Sequence, residues 1–373
     1  MKLKYDSLII AFLLIISEIS YSQGSPPWER PLKISWSNDG TSFSNITIFQ
    51  DSAGVPSVVR WKGDTLVCVF QWFRQPMNSV TWDRVAVKFS YDAGLTWTQP
   101  TPIKVTGMPE NYQRPFDPTL AVTENSGLRI YFSSSNGMPF GGLSSIVDTY
   151  SAISSDGVNY TFELNARFDD AGKPVIDPAV ILFKGMWHYA APTGAPQDGA
   201  FHCTSNDGIN FTQQAKYTSD NAHNWTGNFM LNSPAELRFY GSGQKIWYSS
   251  SPDGFIWQGY TNTTIIGGDP SVVKLSNSNY LAVYVGQPYS VGVPENTILE
   301  KQIKVYPNPF TSAINLIPDR GNEFYELINA VGQSVWSGKQ IEQQDFSGLT
   351  TGLYFLKVKN HDSLTTFKIM KQL

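Results

Sequence analysis

The sequence predicts an all-β chain, a five-bladed β-propeller followed by a small immunoglobulin-like β-sandwich. Three observations carry that expectation. A turn of the form Ser-x-Asp-Gly or Ser-x-Asp-x-Gly, closed by an aromatic residue, recurs five times at intervals of roughly 50 residues. A proline-containing strand start alternates with it. From residue 303 both patterns stop, while short alternating strands broken by Gly, Asn and Pro continue. Composition agrees, with 14% aromatic residues, 30 Gly and 23 Pro among 373 residues and few helical signals.

The clearest turn is "SYDAGLTW" (Ser90 to Trp97), with weaker copies in "SNDGTSF" from Ser37, "SSDGVNY" from Ser154, "SNDGINF" from Ser205 and "SPDGFIW" from Ser251. Ser and Asp side chains bond to the amides of their own loop, and Gly supplies a positive φ. The aromatic residue pins the turn to the strands beneath. The alternating motif reads "VPSVVRW" from Val55, "DPTLAVT" from Asp117, "DPAVILF" from Asp177, "SPAELRF" from Ser233 and "DPSVVKL" from Asp269. Proline is tolerated at the first position of a strand, where little of the ladder is lost. One repeat is then a four-stranded antiparallel blade, and radial repetition of blades gives a propeller.

The repeat region opens with a third and fourth strand, "LKISWS" and "NITIFQ", and ends with a first and second, "DPSVVKL" and "YLAVYVG". These halves complete one blade and leave no open edge. The fourth blade reads as short, with three strands and its first strand starting at Ser233. The resulting boundaries are a signal peptide over residues 1–22, the propeller over 23–286, a linker over 287–302 and the final domain over 303–373.

Lys2 and Lys4 ahead of the apolar run "LIIAFLLII", with Ser20 and Ser22 following, read as an export signal too short to span a bilayer. No transmembrane segment is expected elsewhere. A net charge of −4, with 16% charged residues and no basic stripe, argues against a nucleic-acid partner. Cys68 and Cys203 lie in apolar alternating runs and read as buried thiols, with a single disulfide still open. Two cysteines and four histidines give no metal-site spacing, and no metal or cofactor is expected. The chain is expected to be a monomer.

The starts of the innermost strands line a propeller's mouth. Val55, Asp117, Asp177, Ser233 and Asp269 hold those places, so three carboxylates converge on one axis. Converging carboxylates raise one another's pKa and divide into an acid and a base, the division that glycoside hydrolysis uses. Glu236 and His223 are further acid candidates. Tyr112, Arg114, Trp225 and Asn232 are candidates for contact with a sugar, whose ring stacks on aromatic faces.

The five turns resemble the Asp-box, or BNR, repeats of sialidase-like and arabinanase-like propeller hydrolases over about Leu32 to Gly286. That resemblance implies that the turns are scaffold, remote from the mouth. The sialidase pattern is incomplete here. Gly54-Val55-Pro56 lacks its arginine, Asp269-Pro270-Ser271-Val272 lacks its tyrosine, and Leu231 and Asn232 stand where a glutamate belongs. Arg74 and Asp83 are loose matches for a second arginine and the acid. Asp117 and Asp177 match the arabinanase-like strand starts, while Asn232-Ser233-Pro234 replaces the acid, with Glu236 as a substitute.

The resemblance implies action on an extracellular poly- or oligosaccharide, as a divergent glycoside hydrolase or as a non-catalytic glycan-binding or surface-display module. Farther on, "VYPNPF", "INAVGQSVWSG", "GLTTGLYFLKV" and "KIMKQL" resemble the C-terminal sorting domain of type IX secretion. That implies partners in the secretion machinery and its sortase, engaged through residues 303–373, and release or surface anchoring after export through the periplasm and outer membrane.

Overall fold

The computed structural model describes residues 29–77, 79–135, 147–287, 304–317, 323–359 and 364–372. The expected signal peptide, and most of the expected linker, lie outside the described residues. The chain divides into two compact units, Met1–Tyr289 and Ser290–Leu373.

Among the described residues the first unit is built from five β-sheets. Sheet I is Ala53–Arg60, Leu66–Trp72, Arg84–Ser90 and Thr101–Pro102. Sheet II is Phe116–Val122, Leu128–Ser135, Val147–Ser154 and Asn159–Phe168, with Lys104–Thr106 added parallel at its outer edge. Sheet III is Ala179–Phe183, Met186–Pro192, Ala200–Ser205 and Thr212–Gln213. Sheet IV is His223–Ser233, Glu236–Gly243, Trp247–Ser251 and Thr261–Asn262. Sheet V draws on both ends of the unit, in the order Gly268–Lys274, Tyr280–Val285, Leu32–Ser37, Phe43–Gln50.

The first strands form a closed ring in which sheets I, II, III, IV and V neighbour one another in turn and V returns to I. The same order governs the core. Val69 and Val87 of sheet I pack with Ile130 and Phe132 of sheet II. Tyr131 of sheet II packs with Trp187 of sheet III, and Ala190 of sheet III with Phe239 of sheet IV. Tyr240 of sheet IV packs with Tyr284 of sheet V, and Leu281 of sheet V with Cys68 and Phe70 of sheet I. Each sheet therefore buries both faces against its neighbours, which is why its inner strands read as near-continuous apolar runs rather than clean alternations.

Each of the five Asp-Gly turns caps the end of the third strand of a sheet. In every one the Ser hydroxyl donates to the Asp carboxylate and accepts the N–H of the turn glycine, as in Ser205 to Asp207 at 2.8 Å and Gly208 to Ser205 at 3.0 Å. The Asp carboxylate then accepts N–H groups farther along the turn. The turn glycines have φ between 70 and 94°, a region closed to most side chains.

Sheet IV corrects the sequence reading. It has four strands, not three, and its first strand is His223–Ser233 rather than a segment starting at Ser233. Ser233 pairs with Glu236 across the hairpin that ends this strand. The true start lacks Asp-Pro, and the nearest Ser-Pro in the sequence imitates it.

The second unit holds Lys304–Tyr306 paired with Asn315–Ile317, and a sheet ordered Ser334–Gly338, Phe324–Asn329, Gly352–Lys359, Leu364–Lys371. Phe310, Leu327, Leu356 and Ile369 share its core.

Candidate functional site

Four of the five first strands begin with the same device. Val55, Asp117, Asp177 and Asp269 have φ of 46, 47, 53 and 44°. A non-glycine residue rarely adopts this conformation, and a β-branched one such as Val55 least of all. In sheets I, II and V the pairing slips just beyond, between Gly54 and Ser57, Phe116 and Thr119, and Gly268 and Ser271. Such a bulge breaks the two-residue alternation and re-aims a side chain. Proline follows each of the four, and it needs no ladder partner. Sheet IV slips between Asn224 and Gly227, so Thr226-Gly227 takes the place of Asp-Pro.

The device brings three carboxylates together. Asp117 and Asp269 line a cavity of about 390 Å³ with Arg30, Gln71 and Phe73, and Asp177 is close enough to interact electrostatically with both. All three are densely surrounded by protein while keeping some solvent contact. Burial, followed by the charge of Asp269, pushes Asp117 up to about 7. Burial, followed by Asp117 and Asp269, holds Asp177 well above the usual carboxylate range. Asp269 is raised by burial to about 6, with Arg30 pulling it back. Burial disfavours the charged form of a carboxyl, and like charges in one cavity disfavour it further.

The surroundings are ordered by one network. Arg114 pairs with Asp83 at 2.5 Å and also donates to its carbonyl at 2.7 Å. Gln71 donates to Asp83 at 2.5 Å and accepts the N–H of Asp117 at 3.3 Å. Arg114 is thus linked to the aspartates through Asp83 and Gln71. Tyr112 is half-buried and packs edge-on against Tyr150 at 5.3 Å, inside the core between sheets I and II. Asp148, at the start of the third strand of sheet II, is lifted by burial and by Asp169 to about 6.

The other candidates lie elsewhere. Glu236 and Asn232 flank the far hairpin of sheet IV. Asn232 is six residues beyond the Thr226 start, about 20 Å along an extended strand. There Glu236 accepts from Arg238 at 2.8 Å, Ser250 at 2.8 Å and Asn232 at 2.6 Å. Its acidity is increased, the opposite of what a proton donor at neutral pH needs. Trp225 is buried, packed against Tyr217, Phe239, Trp247 and Trp257, and belongs to the core between sheets III and IV. His223 pairs with Asp220 at 2.7 Å and stacks on Tyr260 at 3.9 Å, which occupies both its ring and its Nδ1. Arg74 sits over the Trp72 ring.

Sequence reasoning missed Arg30, Gln71, Phe73 and Asp148. Arg30 precedes the third strand of the closing sheet, Gln71 lies next to last in the second strand of sheet I, and Phe73 directly follows that strand. Each is therefore at the mouth end of its element, which strand direction alone could have shown. Cys68 and Cys203 are free and buried, and burial holds both thiols in the neutral form. Among the described residues no group of three or more His, Cys, Asp or Glu side chains is disposed to hold a metal ion. Among them, too, no helix is long and apolar enough to cross a membrane.

Residues 304–372 match the family described as "Secretion system C-terminal sorting domain". That tail marks the chain for type IX export to the cell surface or the extracellular space. No curated protein matches the chain. Among solved structures, it is similar to a GH32 β-fructofuranosidase of Bombyx mori, at 12% identity and TM-score 0.48, covering 93% of this chain and 89% of that one. It is also similar to a GH43 α-L-arabinofuranosidase of Clostridium thermocellum, at 14% identity and TM-score 0.47, with 78% and 95% covered. A family 117 glycoside hydrolase of Zobellia galactanivorans gives 13% identity and TM-score 0.43, with 67% and 90% covered.

Proposed function

We propose that the exported chain cleaves an extracellular glycan at the mouth of a five-bladed propeller formed by sheets I to V. The observation that carries this reading is the convergence of Asp117, Asp177 and Asp269, each presented by the same strained strand start. Strain of this kind, of order 1–3 kcal/mol per residue, collects at functional sites. The three carboxyls differ in the way hydrolysis requires. Asp177, facing two other carboxyls, holds its proton and serves as the acid. Asp269, beside Arg30, ionises first and serves as base or nucleophile. Asp117, raised by burial and then by Asp269, adds to the charge that keeps Asp177 protonated.

In this reading residues 1–22 are an export signal, 23–286 the propeller with its Asp-box turns, 287–302 a linker, and 303–373 an immunoglobulin-like tail that the secretion machinery and its sortase engage. A second reading is a glycan-binding propeller that cleaves nothing. The placement of Glu236 and His223 in ion pairs favours it, because the mouth then offers no acid other than aspartate.

A reducing-sugar release screen over plant, algal and host glycans, with the parent chain and Asp177→Asn, separates the two. Release lost in the variant establishes the hydrolase. Retention on a glycan affinity gel without release by either protein establishes the binder. Neither release nor retention overturns both.

A further inference from the structure

We propose that Asn228 is the axial lock of the ring: its amide ties together the first strands of sheets I, II and V and closes the floor of the mouth, making the aspartate cavity a blind pocket. The inference deepens the reading of that cavity as the functional site and rests on it. Asn228 is buried in the first strand of sheet IV, two residues past Thr226. The same step leads from Val55 to Ser57, Asp117 to Thr119, Asp177 to Ala179 and Asp269 to Ser271, so these five residues form one layer beneath the mouth. Four of them are small. Asn228 alone has the reach to cross the axis.

Its bonds go where a lock needs them. Thr119 Oγ1 donates to Asn228 Oδ1 at 2.8 Å, and the Ser57 hydroxyl approaches the same oxygen at 3.5 Å. Asn228 Nδ2 donates to the carbonyls of Pro56 at 3.2 Å and Pro270 at 3.5 Å. Those carbonyls directly follow Val55 and Asp269, and Thr119 is two residues past Asp117. The amide thereby fixes the exit of the strained segments that present the site. The layer is stitched further by Leu120 N–H donating to Ser57 Oγ and Val58 N–H to Ser271 Oγ, each at 2.9 Å.

Beneath this layer lies a second cavity of about 230 Å³, walled by Val58, Leu120, Val180, Phe229 and Val272. It reaches the far end of the ring, where Arg60 and Leu231 are exposed. Ser57, Asn228 and Ser271 of the polar layer line this cavity, and two residues before Ser57 and Ser271 the chain reaches Val55 and Asp269, which line the other. Burial is the leading cause of the raised pKa values above the layer, and an intact floor keeps water from arriving from below. The charged groups that act on the three aspartates are one another, Asp83 beside Asp117 and Arg30 beside Asp269. Sheet IV thus gives up its own aspartate and holds those of its neighbours. Asn228 is a positioning residue.

Aspartate carboxyl titration by 13C NMR on the full chain tests this, with Asn228→Ala and the milder Thr119→Val. The expected result is that Asn228→Ala lowers the highest carboxyl titration by about one pH unit, a tenfold loss of proton affinity. Thr119→Val, which removes only the 2.8 Å bond at nearly constant volume, moves it less in the same direction. Amide exchange at Val58 and Leu120 reads the lock without reference to the aspartates and is expected to speed about tenfold in Asn228→Ala. Folded variants with parental titrations and parental exchange overturn the proposal. If Asn228→Ala does not fold, Thr119→Val decides by the same two readouts. A parent chain with no aspartate titrating above pH 5 strikes the site reading, and the exchange result then judges the lock alone.

Discussion

At the ends of their third strands, Asp39, Asp92, Asp156, Asp207 and Asp253 stand in solvent, each accepting a serine hydroxyl and backbone N–H groups of its own turn. At the starts of the first strands, Asp117 and Asp269 line one cavity, and Asp177 is close enough for the three to repel one another. Backbone donors hold Asp39 down to about 2, and hydroxyl and backbone bonds from Thr96 do the same for Asp92. Burial, followed by the charge of Asp269, lifts Asp117 to about 7. One residue type, repeated in phase on the same sheets, is a turn lock at one place and a proton reservoir at the other. What differs is burial first and the donors in reach second, and so a repeated aspartate takes its protonation from its surroundings rather than from its recurrence.

The sharpest way to break that contrast is to neutralise one aspartate of each kind. In the glycan assay, Asp177→Asn is expected to lose about 10²–10⁴-fold in rate, the range for removal of a general acid. Asp156→Asn, which disturbs only its own turn, is expected to stay within about twofold of the parent. Equal losses from both would erase the distinction.

The pH dependence of melting gives the next effect. A mouth carboxyl binds its proton more tightly folded than unfolded. The stability it contributes is complete below its ordinary value of 3.8 and is lost as pH rises through about 6 to 7. The turn carboxyls run the other way, contributing above their ordinary value and losing it as pH falls through about 2. Asp117→Asn is therefore expected to melt about 2–6 °C above the parent at pH 8 and near it at pH 4. A variant that loses the same amount at both values would show that the carboxyl is not strained by its neighbours. The smallest effect is Ser205→Ala, which removes the bond to Asp207 and the acceptor for Gly208 N–H. It is expected to cost about 1–2 kcal/mol in denaturant titration with the glycan assay unchanged.

Legibility in the sequence obeys the same contrast. A local device can be read from residues close in sequence, and Ser37-x-Asp39-Gly40 and its four copies declare their own hydrogen bonds. Strand starts such as Asp117-Pro118 are equally plain, because Asp-Pro marks a break in the ladder. Sheet IV misleads, since Thr226-Gly227 lacks that mark and the hairpin Ser233-Pro234 imitates it. The same imitation draws Glu236 into the expected mouth. Strand direction places Arg30 and Gln71 at the mouth end but does not tell which aspartate each meets. Arg30 approaches Asp269 and Gln71 approaches Asp117 through contacts between segments far apart in sequence. Trp225 fails for another reason, since an aromatic residue near a strand start serves a core as readily as a ligand.

Ring closure also sets a timetable. Leu32 pairs with Val285, so the strand Leu32–Ser37 waits for one made about 250 residues later. At about 5–20 residues per second a ribosome needs some tens of seconds to make that stretch. Until then Leu32–Ser37 is without its inner neighbour and offers a bare edge to any other chain. The sorting tail emerges only after the closing strand. Its appearance therefore reports that the material for a finished ring is already out of the ribosome, and the export address is read on a chain that has had its chance to close.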